Sequence, residues 1–157
     1  MNTRKTALIT GASRGIGAAI ATLLAENGYH LVLTCDKSMD ALVKLSEQLM
    51  QEYSVSCTPL RADMSNEKDV LQIFEHIKHL DVVVNNAGIS HVGLLSDMTA
   101  REWHRIIGVN LDSCFYTSRA AIPLMLEKHA GHIINISSVW GNAGASMEVA
   151  YSASKAA

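Results

Sequence analysis

The stretch Thr10-Gly11-Ala12-Ser13-Arg14-Gly15-Ile16-Gly17 follows the apolar run Ala7-Leu8-Ile9 and precedes an alanine-rich helical pattern. It reads as a strand, a glycine turn and the start of a helix. The glycine spacing is G-x-x-x-G-x-G rather than G-x-G-x-x-G, but the physical logic is shared. Gly11 lets the chain turn sharply, Gly15 lets the backbone approach a phosphate, and Gly17 lets the helix pack closely on the sheet. The helix beginning here aims free N–H groups at an anion, and Arg14 adds a permanent positive charge. Ser13 and Ile16 belong to the same turn. The bland alternative is an ordinary strand-to-helix connection.

Outward from this turn, short apolar runs alternate with amphipathic stretches. The pattern predicts strands at about 5–10, 30–35, 54–59, 81–85 and 131–137. It predicts helices at about 15–27, 38–52, 66–79, 100–107 and 110–129, with another starting near 150. The strand runs are continuously apolar, as in Asp81-Val82-Val83-Val84-Asn85, which suits strands covered on both faces. Strands alternating with helices imply right-handed crossovers and a parallel sheet. The fold class expected is therefore α/β, a Rossmann-type doubly wound parallel sheet in one domain over 1–157.

Composition agrees with a globular chain. Of the 157 residues, 48% are hydrophobic and 18% charged, which fits one ordinary domain. A net charge of −2 gives no reason to expect nucleic acid or a membrane surface as a partner. No apolar run approaches the roughly 20 residues of a membrane span. Met1 to Lys5 is basic, but a strand and a glycine turn follow it rather than a signal-peptide core. Cys35, Cys57 and Cys114 are well separated, in no metal spacing, and suit a reducing cytoplasm. His76 and His79 sit three apart on a predicted helix and read as a solvated face, so no metal is expected.

Four further places carry chemistry. The second strand ends at Thr34-Cys35-Asp36-Lys37, where this fold meets the adenosine ribose. Asp36 can accept from a ribose 2′-OH, which favours NAD and repels a 2′-phosphate. Arg14 and Lys37 can pair with that phosphate and favour NADP. Arg61-Ala62-Asp63-Met64 follows strand three; Asp63 can accept from an adenine amino group, or Asp63 or Ser65 can cap the helix at 66–79. Asn85-Asn86-Ala87-Gly88 ends strand four, where a small residue and a glycine let backbone approach a ligand and the amides tie strands together; a polar turn is the alternative. Finally, Tyr151 and Lys155 lie four apart, on one helix face. An ammonium beside a phenol favours the phenolate and lowers its pKa from about 10, which makes the pair fit for proton transfer to a substrate oxygen.

Together these residues resemble the classical short-chain dehydrogenase/reductase family. The matching elements are Thr10 to Gly17, Asn85 to Gly88, Asn110 within Val109-Asn110-Leu111, Ser138 after strand five, and Tyr151 with Lys155. The chain is most similar to the 3-oxoacyl-acyl-carrier-protein reductases of fatty-acid synthesis. Ser137 to Gly141 with Gly144 to Val149 also looks like a Firmicutes branch that reduces a 5-aminopentanone modification on elongation factor P.

The resemblance implies an NADP(H)-dependent carbonyl reductase, with NAD(H) as the other cofactor choice. It implies Tyr151 as general acid. Lys155 lowers the tyrosine pKa and binds the nicotinamide ribose, Ser138 (chosen over its neighbour Ser137 on the family pattern alone) bonds the carbonyl, and Asn110 holds a water that links Lys155 to solvent. The cofactor contacts implied are Gly11, Ser13, Arg14, Gly15, Ile16, Gly17, Asp36, Asp63, Met64, Asn86, Ala87, Gly88, Tyr151 and Lys155. Trp140 can line the substrate mouth. The partners implied are an acyl thioester or other small carbonyl compound, carried on acyl carrier protein in the first case, and a second copy of the full-length chain.

The family pattern continues past Lys155 with a sixth strand, a substrate-covering segment and a seventh strand. The chain therefore reads as the N-terminal part of such a reductase, its sheet truncated after strand five and the start of the catalytic helix. An exposed hydrophobic sheet edge is expected there. The third reading is a non-enzymatic nucleotide-binding fragment.

Overall fold

The computed structural model describes residues 4–157. Met1, Asn2 and Thr3, where the basic start begins, lie outside the described residues. The apolar runs form five strands: β1 (Thr6–Ile9), β2 (His30–Cys35), β3 (Cys57–Arg61), β4 (Val82–Asn85) and β5 (His132–Asn135). They form one sheet in the order β3-β2-β1-β4-β5, every neighbouring pair parallel. The helices are α1 (Gly15–Glu26), α2 (Met39–Tyr53), α3 (Glu67–Glu75), α4 (Ala100–Ile107), α5 (Ser113–Glu127), α6 (Val139–Ala143) and α7 (Val149–Ala156).

The two-residue period of the strands divides the core in two. Ala7, Ile9, Leu31, Leu33, Val82 and Val84 face α1 and α2 and pack with Ala21, Ala25, Leu42 and Leu49. Leu8, Val32 and Val83 face the other way and pack with Val70 and Ile73 of α3 and Ala121 and Met125 of α5. Both faces are covered, which is why the strand runs contain no polar alternation. Full burial of each such aliphatic chain contributes about 1.5–3 kcal/mol.

Polar bonds inside the sheet fix its outer pair. Asn85 Nδ2 donates to Asn135 Oδ1 at 2.8 Å, and Thr117 Oγ1 of α5 donates to Asn85 Oδ1 at 2.7 Å. The strand pair β4–β5 and its covering helix thus share one hydrogen-bond network. The far side of β5 is open, and its Ile134 is 47% exposed.

Four boundaries differ from the sequence expectation. β3 starts at Cys57 rather than 54, because Ser56 N donates to His30 Nδ1 and Leu31 N to Ser56 O before the ladder begins. Its Pro59 is tolerated because β3 is an edge strand. Helix α3 ends at Glu75, where His76 N and Ile77 N turn back onto Ile73 O and Phe74 O. His79 is therefore off the helix, and the expected histidine face does not exist. The helices expected at 100–107 and 110–129 are joined by a π-helical turn at Gly108–Asp112 that holds Asn110. The helix α6 was not expected at all; Ser138 caps it. Among the described residues no helix is long and apolar enough to cross a membrane, and no group of three or more His, Cys, Asp or Glu side chains can hold a metal.

Asp81 fastens the start of β4. Its Oδ2 accepts from Thr6 N at 2.8 Å and its Oδ1 from Lys128 Nζ at 2.6 Å. Burial alone would raise its pKa, but the Lys128 bond, the Thr6 amide and nearby positive charge outweigh that and hold it below the ordinary carboxylate value. Such a group contributes stability that is complete above the unfolded value of about 4 and is lost as pH falls toward the native value. We therefore expect Asp81→Asn to lower the melting temperature at pH 7 and to flatten its decline below about pH 4. Parallel acid limbs in wild type and variant, measured by circular dichroism, would contradict this.

Candidate active site

The glycine turn is locked to the end of β4. Thr10 Oγ1 accepts from the backbone N–H of Asn86 at 3.0 Å and of Ala87 at 2.9 Å. Asn86 Nδ2 donates to Thr10 O at 2.9 Å and Gly11 O at 3.1 Å. Gly11 has φ +64°, and a Cβ there would stand 2.9 Å from Ala87 Cα. At Gly17 a Cβ would stand 2.6 Å from both Asn86 Nδ2 and Gly11 O. Gly17 therefore permits the lock and does not line the cleft in front of it, a correction to its place among the expected cofactor contacts.

That cleft has a volume of about 470 Å³. Gly11, Ser13, Arg14, Gly15 and Ile16 form one wall, Asp36 and Lys37 follow from β2, Asp63 and Met64 from β3, and Asn86, Ala87 and Gly88 from β4. All these side chains sit at the carboxyl ends of strands, where open α/β sheets bind ligands. Cys35 also lines it, and burial pushes its thiol pKa up.

Asp63 does not cap α3. Asn66 does, its side chain accepting from Lys68 N at 3.0 Å. Asp63 Oδ1 instead accepts from Ser65 N at 3.0 Å and Ser65 Oγ at 2.8 Å. Both of its oxygens accept from Arg105 Nη1, at 2.7 and 2.6 Å. Burial would raise its pKa; the Ser65 amide and the Arg105 guanidinium overcome this and hold it below the ordinary range. Arg105 is the cleft residue that the sequence reading missed. It lies on α4, far in sequence from the carboxylates it bonds, and no local pattern marks it.

A second cleft of about 400 Å³ adjoins the first and shares Ile16, Asn86, Gly88 and Ile89 with it. Ser137, Ser138, Trp140, Glu148, Tyr151 and Lys155 are among the other residues that line it. Lys155 Nζ donates to Ile136 O at 2.7 Å, and burial holds its pKa below the ordinary lysine value. The neighbouring serines are in different states. Ser137 Oγ donates to Lys155 O at 2.7 Å, so its proton is committed. Ser138 Oγ accepts from Trp140 N at 3.2 Å, which leaves its own proton free to donate.

Asn110 stands behind this cleft. Its Oδ1 accepts from Ile89 N at 2.8 Å, and its Nδ2 donates to Ile89 O and Ser154 Oγ, both at 2.9 Å. Both amide donors are thus spent on protein, binding the segment after β4 to α7. Gly141 allows α6 to lie against α7: a Cβ there would stand 2.5 Å from Lys155 O.

The family model for short chain dehydrogenase matches residues 5–157. The chain belongs to the short chain dehydrogenase family. It is 38% identical over 154 residues to the uncharacterized oxidoreductase YmfI of Bacillus subtilis (strain 168), covering 98% of this chain and 64% of that protein. The chain thus spans less than two thirds of the length of that relative. A short-chain dehydrogenase from Sphingobium yanoikuyae in complex with NADPH superposes with a TM-score of 0.90 at 32% identity, covering 97% of this chain and 60% of that one. A metagenomic short-chain oxidoreductase in complex with NADP gives a TM-score of 0.89 at 35% identity, covering 96% and 70%.

The lock makes a direct prediction. Asn86→Ala leaves the Thr10 and Gly11 carbonyls short of a donor. We expect a loss of about 1–3 kcal/mol in urea unfolding, the usual cost of orphaned buried acceptors. Unchanged stability would show that the turn holds its shape without Asn86.

Proposed function

We propose that the chain carries the dinucleotide site and the catalytic side chains of an NADP(H)-dependent carbonyl reductase. The observation that carries this reading is the continuity of the two clefts through Gly88 and Ile89. One end offers an anion-binding turn, the other a phenol, a serine with a free proton and a lysine.

The residues fit the cofactor. Gly15 has φ +57° and open space where a Cβ would stand, so a phosphate can approach its backbone. Arg14 and Lys37 line the adenosine end and make no recorded ion pair among the described residues. Ser13, Arg14, Gly15 and Ile16 would hold the pyrophosphate, Asp63 and Met64 the adenine, and Asn86, Ala87 and Gly88 the middle of the cofactor. Tyr151 and Lys155 would hold the nicotinamide ribose. When bound, the nicotinamide supplies hydride. Ser138 donates a hydrogen bond to the substrate carbonyl and stabilises charge that gathers on its oxygen. Tyr151 gives that oxygen a proton. Lys155 presents positive charge to the phenol, and Ile136 O holds its ammonium in place. Asn110 keeps the Ile89 segment against α7 and would hold a water that links Lys155 to solvent for proton resupply.

The substrate class we propose first is a 3-oxoacyl thioester, delivered by acyl carrier protein, reduced to the 3-hydroxyacyl form in fatty-acid synthesis. One observation favours the second reading, a ketone with a primary amine such as the 5-aminopentanone modification of elongation factor P. Glu148 lines the catalytic cleft and forms no salt bridge among the described residues. A carboxylate there attracts a substrate ammonium and repels an anion.

Two experiments test these readings. Tyr151→Phe should keep NADPH binding, followed by nicotinamide fluorescence, and lose turnover by a factor of about 10² or more. Wild-type turnover in that variant excludes the mechanism. Comparing an acetoacetyl thioester with 5-amino-2-pentanone then separates the substrates. If the amine is preferred and Glu148→Gln removes the preference, the second reading holds. A thioester preference unaffected by Glu148→Gln supports the first.

A further inference from the structure

At the adenosine end of the first cleft, Arg105 reaches in from the last turn of α4. Its Nη1 bonds both oxygens of Asp63, at 2.7 and 2.6 Å, and also Ser65 Oγ. Its Nη2 stands 3.4 Å from Asp36 Oδ2. One guanidinium thus spans the two carboxylates that line this part of the cleft. Its position is built. Ile106, the next residue, is 2% exposed, and Gly108 packs on Ser65, where a Cβ would stand 3.0 Å from Ser65 Cβ. A capping box at Thr99 and Glu102 fixes the start of the same helix.

Asp36 in isolation argues against a 2′-phosphate, whereas Arg14 and Lys37 beside it argue for one. Arg105 resolves that conflict. With its charge counted, three cations face two carboxylates at this end, and the cations left unpaired are Arg14 and Lys37. We propose that Arg105 is a specificity-determining residue for the dinucleotide: it holds Asp36 and Asp63 as partners, cancels their repulsion of a 2′-phosphate, and leaves Arg14 and Lys37 to recognise it. This rests on the cofactor reading above. The role is indirect, through Asp36, and that distinguishes it from a guanidinium that binds the phosphate itself.

The test is a double-mutant cycle on the 157-residue chain. NADPH and NADH dissociation constants are read by nicotinamide fluorescence for wild type, Arg105→Ala, Asp36→Ala and the double variant, with circular dichroism to show that each is folded. Arg105→Gln serves as the second single variant, because it can still donate to Asp63 while losing the charge. We expect either Arg105 variant to weaken NADPH about threefold to fivefold and NADH less than about twofold, as for a partly exposed charge pair. Adding Asp36→Ala should remove most of the NADPH penalty, and about 0.5 M salt should shrink it. Equal weakening of both cofactors, or a penalty that persists without Asp36, overturns the proposal; the second result would assign Arg105 to the phosphate directly. If wild type binds neither cofactor while folded, the cofactor reading falls too. If wild type binds both and the Arg105 variants leave their ratio unchanged, only this inference falls.

Discussion

The lock between Thr10 and Asn86 is the constraint on which the site depends. A strand that ends in a glycine turn has no intrinsic reason to hold that turn open toward a ligand. Here four short bonds bind it to the next strand across the sheet. They use the Thr10 hydroxyl as a double acceptor and the Asn86 amide nitrogen as a double donor. They also explain why glycines stand at 11 and 17: any side chain there would occupy the space of Ala87 or of the Asn86 amide. Sheet order then does the rest. Because β1 lies beside β4, the residues after both strands open onto one cleft.

The second cleft is held by bonds of another kind. Lys155 is partly buried, and burial works against its charge. Below its depressed native pKa this ammonium is a cost to the fold, and the cost eases as pH rises through that value toward the unfolded one near 10.4. What offsets it is the single carbonyl of Ile136 and the frame around it, in which Ser137 bonds the lysine's own carbonyl and Asn110 grips Ser154 one residue before. The result is a partly buried cation held in a concave site that Tyr151 also lines.

The elements that were legible in the sequence are those whose signal is local. The strand runs were readable because the central strands are covered on both faces, and the glycine turn because three glycines fall within seven residues between an apolar run and a helical pattern. Thr10 to Gly17, Asn86 and Tyr151 with Lys155 stood out through the order of several motifs and the family resemblance, not through any one spacing. Boundaries governed by tertiary bonds were not. The late start of β3 depends on His30, and the early end of α3 on a tight turn at His76. The family pattern singles out Ser138 over Ser137; that Ser137 Oγ donates to Lys155 O is a tertiary bond with no trace in the local sequence. Arg105 was invisible because its partners lie 42 and 69 residues away.

The π-helical turn at Gly108–Asp112 connects that hidden residue to the rest. A regular helix advances about 100° per residue, so one extra residue in a turn rotates everything beyond it onto a different face. Such a turn loosens the backbone ladder, and here side chains take up its carbonyls: Ser113 Oγ donates to Val109 O at 2.6 Å and Cys114 Sγ to Asn110 O at 3.5 Å. The rotation lets a single run of helix serve three places. Before the turn, Arg105 reaches the adenosine end of the cleft. Within it, Asn110 reaches Ile89 and α7. After it, Thr117 reaches the Asn85–Asn135 pair inside the sheet. The π-helical turn in this run thus joins the first cleft, α7 and the outer strands, and its position suits what each of those three must meet.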